Sequence, residues 1–420
     1  MSMPAVFTDR LREWAGEVVG GEVLEWRRLT SGNSRSSYTA DVRVGEDVLE
    51  LVVRHDEGGG PVAGTELSLE REATVYGALM GTDLPVPRLY GRSAELGAIA
   101  VSRLAGTTEE SRLVLGDLLA RLAELHRLPV EKLELPGFAR TAAADLDLWA
   151  AIAGQKLPER NELVDFAFDV LRDRFPGEPE RIVLCHGDYG EGNFLAQDGR
   201  VSALLDWEFA HLGDPYDDLA WITVRALMFG HELPGFGALV RERYFGATSS
   251  EPSMKKLRYW QAVIVLRNLI CCLAVAYAPE ERDRSVHLML LPGLAHRLVY
   301  LLAELCGVVL DPAPPLPSPP ALPGDLLLRE VAGGLRELAT VIPEAEPRRR
   351  ARRLSRMLAQ FAETWGLAAT VAQANAADLA QAGSDRRSRL RSLGRVVDRE
   401  LALLPDASPI AGGALAGLEE

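Results

Sequence analysis

The run His186-Gly187-Asp188-Tyr189-Gly190-Glu191-Gly192-Asn193, followed by Asp206 in Leu204-Leu205-Asp206-Trp207-Glu208, constrains this chain more than any other part of it. Asp188 stands five residues before Asn193, and Asp206 follows thirteen residues after that. Side chains in this order suit one chemistry. A first carboxylate takes the proton of an acceptor hydroxyl, while an amide and a second carboxylate hold Mg²⁺ on nucleotide phosphates. Those oxygens must converge on one point, so the chain around them must be fixed. Residues 181–185 read as a buried strand feeding the loop, and 201–205 as a strand delivering Asp206. Asp and Asn in loops are usually turn or cap residues. In this order, with a strand on either side, they read as a site.

The stretches HGDYGEGNFL and LLDWEFAHLGDPYDDLAWI together resemble the aminoglycoside-phosphotransferase, choline-kinase-like superfamily, and within it the branch whose domains occur fused to or beside acyl-CoA dehydrogenases. The resemblance covers roughly residues 5–308, about the length such a fold needs. It implies an α+β, two-lobed, protein-kinase-like fold. A mainly β N-lobe would occupy residues 1–104, and a helical C-lobe with the catalytic loop and acceptor helices would occupy 105–310. It further implies a small-molecule kinase that uses Mg²⁺ and moves the γ-phosphate of ATP or GTP to a hydroxyl. The branch points to a hydroxyacyl or hydroxyacyl-CoA acceptor. An antibiotic kinase acting on an aminoglycoside or macrolide is the second reading, and a non-catalytic nucleotide-binding scaffold the third.

The remaining site residues follow from the same frame. Residues 31–37 lie between two strands, where a hairpin would fold over the phosphates; Gly32, Asn33 and Ser34 are the candidate contacts there. Gly32 is the single glycine of that turn, so the protein-kinase GxGxxG pattern is absent, and an ordinary polar hairpin turn reads nearly as well. Arg54 ends a strand at the place of the usual lysine, keeping the charge but changing its geometry. Its expected partner is Glu72, with Glu70 as the alternative; two unrelated surface charges are the bland reading. Ser102 and Leu104 fall in the expected hinge, 100–106. Glu208 would share Asp206's side and help a second metal if the strand continued, and reads equally well as a group behind the ligands or at the surface. His186 reads as a buried group fixing the loop, His126 as structural, and Asp217 or Asp218 as the N-cap of the next helix, with Asp218 supporting the site.

The acceptor reads as a small molecule. A helix start is expected within eleven or twelve residues of Asp206, which leaves no room for a peptide-binding activation segment. Gly187 stands where many protein kinases carry an arginine that reads a phosphorylated loop. The acceptor cleft would lie between the catalytic loop and helices at 254–307, which carry Arg258, Arg267, Arg282 and Arg284 among Glu280, Glu281 and Asp283.

The net charge of −14 argues against nucleic-acid binding. It is unevenly spread, because residues 325–404 hold 14 Arg against 10 Asp plus Glu. The Arg348–Arg353 run there reads as a solvated helix face rather than a phosphate-binding patch. Cys185, Cys271, Cys272 and Cys306 show no CxxC spacing and read as free thiols of a reducing compartment. No leader-like segment opens the chain, and the apolar run 269–278 is too short to span a bilayer, so a cytoplasmic protein without a membrane partner is expected.

Along the chain, helix is expected at 6–19, strands at 22–29, 38–44 and 48–54, helix at 65–80, and strands at 86–90 and 98–104. Helices then follow at 142–153, 159–174, 217–229, 235–248, 254–278 and 285–307. Residues 311–324 hold seven prolines and read as a stiff linker. Beyond it, 325–404 is expected to form a separate helical module that folds on its own. Its three helices, the second broken at Gly366, could carry a homo-oligomer contact. Residues 405–420 are expected to be a disordered tail.

Overall fold

The computed structural model describes residues 5–29, 35–108, 114–228, 233–278, 284–317, 323–403 and 415–418. The N-lobe begins with α1 (Ala5–Glu17) and continues through β1 (Glu22–Leu29), β2 (Ser36–Val44), β3 (Asp47–His55), α2 (Leu69–Leu79), β4 (Leu89–Ser93) and β5 (Ala98–Ser102). Its strands form one antiparallel sheet in the order β1-β2-β3-β5-β4. Strand period explains its two faces. Tyr38, Ala40 and Val42 of β2 point one way with Leu51, Val53, Ala98 and Ala100, and α1 covers them with Leu11 and Ala15. Ile99 and Val101 point the other way and join Ala73, Val75, Tyr76 and Leu79 of α2 in the main core. The strand expected at 86–90 starts only at Leu89, since Pro85 and Pro87 precede it and cannot donate to a ladder.

The C-lobe contains α3 (Leu115–Arg127), α4 (Ala143–Lys156), α5 (Glu162–Asp173), β6 (Val183–Cys185), β7 (Phe194–Gln197), β8 (Arg200–Leu204) and β9 (His211–Gly213). Then come α6 (Tyr216–Met228), α7 (Phe236–Val240), α8 (Gly246–Thr248), α9 (Met254–Ala276) and α10 (Ser285–Leu305). The helix expected at 235–248 is interrupted by a wider, π-type turn at Arg241–Phe245. Neither Asp217 nor Asp218 caps α6, which starts at Tyr216; Asp214 Oδ1 accepts from the Tyr216 N–H at 2.9 Å instead. Both aspartates sit in its first turn and are buried, Asp218 against the loop after β6 and Asp217 against Arg267.

By length and composition α9 and α10 could each cross a membrane, contrary to the expectation drawn from the ten-residue run. The apolar window of α9 is 89% buried, packed by α4, α5, α6 and α10, as a central core helix.

The C-terminal region folds as α11 (Pro323–Val341), α12 (Ala345–Thr364), a 3₁₀ turn at Trp365–Leu367, α13 (Ala368–Gln381) and α14 (Arg386–Leu403). It shares a buried core with the C-lobe. Leu390, Leu393 and Val397 of α14 belong to the same buried cluster as the C-lobe helices. Asp398 accepts from Tyr300 on α10 and from the Ala313 N–H, both at 2.9 Å. The tail expectation fails where the chain is described, because Leu415 and Leu418 are buried in that cluster. Arg258 and Gln261 of α9 donate to the Leu415 and Ala416 carbonyls.

Candidate active site

The loop between β6 and β7 is fixed at both ends. β6 pairs with β9, Cys185 opposite His211, and β7 pairs with β8. Gly187 takes φ +80°, and a Cβ there would lie 2.0 Å from the Phe209 carbonyl oxygen, so no side chain is tolerated where the two segments cross. Asp218, buried on α6, accepts from the His186 and Gly187 N–H groups at 2.8 and 2.9 Å. His126 bridges Asp218 (3.0 Å) and the Tyr244 hydroxyl (2.6 Å). Burial lowers the pKa of His186. The neutral ring then donates from Nε2 to the Leu205 carbonyl at 2.8 Å, tying the loop to the chain that carries Asp206.

Within this frame Asn193 Nδ2 donates to Asp188 Oδ2 at 2.7 Å and to the Asp188 carbonyl at 2.9 Å. Leu205 donates to the Asn193 carbonyl at 2.9 Å. Arg225 of α6 pairs with Asp188 Oδ1 and donates through Nε to the Glu191 carbonyl at 2.6 Å. Burial raises the Asp188 carboxyl above its ordinary range against the pull of Arg225.

Asp206 leaves the strand in the left-handed region (φ 66°, ψ 63°) and Trp207–Phe209 makes a 3₁₀ turn. The strand therefore does not continue to Glu208, as the reading of a shared strand face required. Instead Glu208 is buried with its Oε2 2.6 Å from Arg35 Nη1. Arg54 pairs with Glu72, as expected, and also donates to Asp206 Oδ1 at 3.0 Å. Against the cost of burial, Arg54 and Arg35 hold the Asp206 carboxyl below its usual range. Burial, with Asp206 close by, pushes Glu208 up to about 8.

Thus ion pairs, hydrogen bonds and the Leu205–Asn193 backbone link tie Asp188, Asn193, Asp206, Glu208, Arg54 and Glu72 together, with His186 and Asp218 fixing the loop. Gly32, Asn33 and Ser34 lie outside the described residues. Ser102 and Leu104 sit where the chain passes between lobes, but the Ser102 hydroxyl is occupied, accepting from the Arg88 N–H at 2.9 Å. The oxygens of Asn193 and Asp206, with Glu208 beside them, are hard donors of the kind Mg²⁺ takes. Glu208 Oε2 and Glu72 Oε2 are buried with no hydrogen bond of good geometry, their charge met by Arg35 Nη1 at 2.6 and 3.6 Å.

Arg35 and Arg225 escaped the sequence reading. Arg225 had a signal, since it lies seven residues after Asp218 and so on the same helix face. Arg267 is a correction: it does not line an acceptor cleft but is buried against Asp217 (2.7 and 3.1 Å) and Asp145, with His211 3.4 Å from Asp217. Arg258 and Arg284 are likewise engaged by backbone carbonyls, and Arg282 lies outside the described residues. Although Asp145, His211 and Asp217 could by type hold a metal, the Arg267 guanidinium already fills their centre. Despite burial, Arg267 and His211 hold Asp217 down at about 2. The stability this pair gives is present above the unfolded carboxylate value, 3.8, and is lost as pH falls toward 2. Arg267→Met should cost roughly 3–5 kcal/mol by stranding two buried carboxylates. Thermal melts would show it, and an unchanged melting temperature would mean that the network contributes nothing.

A family model described as the phosphotransferase enzyme family matches residues 25–260. Acyl-CoA dehydrogenase family member 11 of Gallus gallus is 27% identical over 226 residues, which cover 48% of this chain and 28% of that protein. The match therefore spans little more than a quarter of that relative's length. Aminoglycoside 3'-phosphotransferase of Streptomyces fradiae is 30% identical over 199 residues, covering 42% of this chain and 72% of that enzyme. A crystal structure from Ralstonia eutropha JMP134, assigned to the aminoglycoside phosphotransferases, superposes with a TM-score of 0.53 at 17% identity, covering 71% of this chain and 98% of that one. At that identity the likeness is one of fold.

Proposed function

We propose that this chain, which belongs to the phosphotransferase enzyme family, transfers the γ-phosphoryl group of ATP to a hydroxyl of a small molecule in the cleft above Asp188. The observation that carries this reading is the Asp188–Asn193 hydrogen bond at 2.7 Å beside Asp206, all three held by one buried framework. Asn193 and Asp206 would hold Mg²⁺, with Glu208 next to them, and the ion would supply charge neutralisation for the phosphates. Arg54, anchored by Glu72, would serve the phosphates as the strand cation. Asp188 would take the proton of the acceptor hydroxyl as its oxygen bonds to the γ-phosphorus and the bond from that phosphorus to the nucleoside diphosphate breaks. Asn193 and Arg225 fix the Asp188 carboxylate, so orientation costs nothing at the moment of transfer.

The distance along the chain from Asp206 to α6 supports a small acceptor. Residues 207–215 form a 3₁₀ turn and the short β9 and leave no platform for a peptide. Similarity to acyl-CoA dehydrogenase family member 11 favours a hydroxyacyl or hydroxyacyl-CoA acceptor. The match to most of an aminoglycoside 3'-phosphotransferase favours the second reading, an aminoglycoside. Phosphate transfer from labelled ATP, and separately GTP, to a panel holding both acceptor types decides between them. Transfer to neither, with no nucleotide hydrolysis, would support a scaffold. Free thiols at all four cysteines agree with the cytoplasmic location we propose.

Asp206→Asn should weaken Mg²⁺-nucleotide binding and lower transfer on the order of 10²–10³-fold, since it removes a fixed charge where phosphate charge is balanced. A Mg²⁺ titration of activity checks this. An unaltered Mg²⁺ dependence would take Asp206 out of the site.

A further inference from the structure

We propose that Arg35 and Arg54 form a clamp that occupies the metal-binding carboxylates in the nucleotide-free protein, so that a divalent cation gains its ligands only when nucleotide phosphates draw the guanidiniums away. The proposal deepens the kinase reading and rests on it.

Two guanidiniums share three carboxylates. Arg35 lies within the candidate phosphate loop, directly before β2, and is only 8% exposed. Its Nη1 lies 2.6 Å from Glu208 Oε2 and 3.6 Å from Glu72 Oε2, and its Nη2 reaches the Leu67 carbonyl at 3.5 Å. Arg54 bridges Glu72 and Asp206. Without these cations, the buried Glu72 and Glu208 and the half-buried Asp206 would repel one another where charge is screened less than in water. The two arginines bring the charge that a divalent ion would bring.

The contact chemistry favours exchange over permanence. Arg35 Nη1, Glu208 Oε2 and Glu72 Oε2 make close ion pairs, yet none of the three atoms has a hydrogen-bond partner of good geometry. Charge alone holds them, so a phosphate oxygen offering directed, bidentate bonds to a guanidinium is a better partner. Arg35 and Arg54 both lie where a nucleotide's phosphates would arrive. Taking up phosphate and releasing Glu208 and Asp206 are therefore one event, coupling nucleotide to metal by linkage.

Mn²⁺ binding to the nucleotide-free full chain, followed by electron paramagnetic resonance at about pH 8.5, tests this. Wild type should bind free Mn²⁺ more weakly than about 10⁻⁴ M, the range of loosely built oxygen sites. Arg35→Met should tighten free Mn²⁺ on the order of tenfold or more, because one competing charge at ion-pair distance is gone. The same variant should bind ATP less well, and Arg35→Lys, which keeps the competing charge but loses the bidentate fork, should stay close to wild type in Mn²⁺ binding. Unchanged or weaker Mn²⁺ binding by folded Arg35→Met overturns the clamp. So does tight Mn²⁺ binding by wild type alone, which needs no variant to fold. If wild type fails to bind Mn²⁺-ATP at all, the kinase reading fails with it; normal Mn²⁺-ATP binding without the Arg35 effect removes the clamp only.

Discussion

Asp188→Asn is expected to lower kcat on the order of 10³-fold while leaving nucleotide Kd close to wild type. The size is that of losing a positioned general base. The selectivity follows from the geometry. Asp188 is held by Arg225 and Asn193, apart from the Arg54–Asp206 pair that would serve the nucleotide in the proposed reaction. An asparagine keeps the shape and can still meet Asn193, so the loop should survive. The pH profile adds a second readout. Burial raises the Asp188 carboxyl above 3.8, and the base works only when ionised, so the wild-type rate should fall with acid at a pH above that value. The residual rate of the variant should lack that limb. Single-turnover kinetics with separate nucleotide titration checks both. A large loss of nucleotide affinity with kcat retained would show that Asp188 serves the phosphates instead.

How far the sequence revealed this site depends on distance along the chain. Asp188, Asn193 and Asp206 lie within twenty residues and between recognisable strands, so local pattern brings them together. The Arg54–Glu72 pair was legible because a strand end and the next helix meet in any such lobe. The continuing strand on which Glu208 would share Asp206's face is absent for a local reason: Asp206 turns left-handed, a conformation Asp adopts only occasionally. Arg267 was misread for a distant one. Its partners lie 50 and 122 residues away, and on α9, apolar all round, one charged residue looks alike whether it faces a cleft or a buried carboxylate. Arg35 lies within a polar turn, where charge is expected at the surface.

The prolines of 311–324 report stiffness and say nothing about docking, so the packing of α14 on the C-lobe had no signal in the sequence. A chain ending at Asp311 should fail to reach a stable fold, losing both solubility and nucleotide binding, although every phosphate-site residue precedes position 210. The apolar stripe Leu390, Leu393, Val397 on α14 packs on the C-lobe, and Leu415 and Leu418 add to it. Burying each such side chain contributes about 1.5–3 kcal/mol. Five of them together approach the whole stability of a typical domain, about 5–15 kcal/mol. Polar anchors go with them: Asp398 with Tyr300 and His296, and Arg386 with Asp173. Truncation would also leave the α14-facing side of α10, already the less buried of the two long apolar helices, open to water. Expression, thermal melting and nucleotide titration of the shortened chain check this. A soluble product that melts as wild type does and binds Mg²⁺-ATP would show that α11–α14 is a detachable module, and that the shared core it forms with α10 contributes little to the kinase fold.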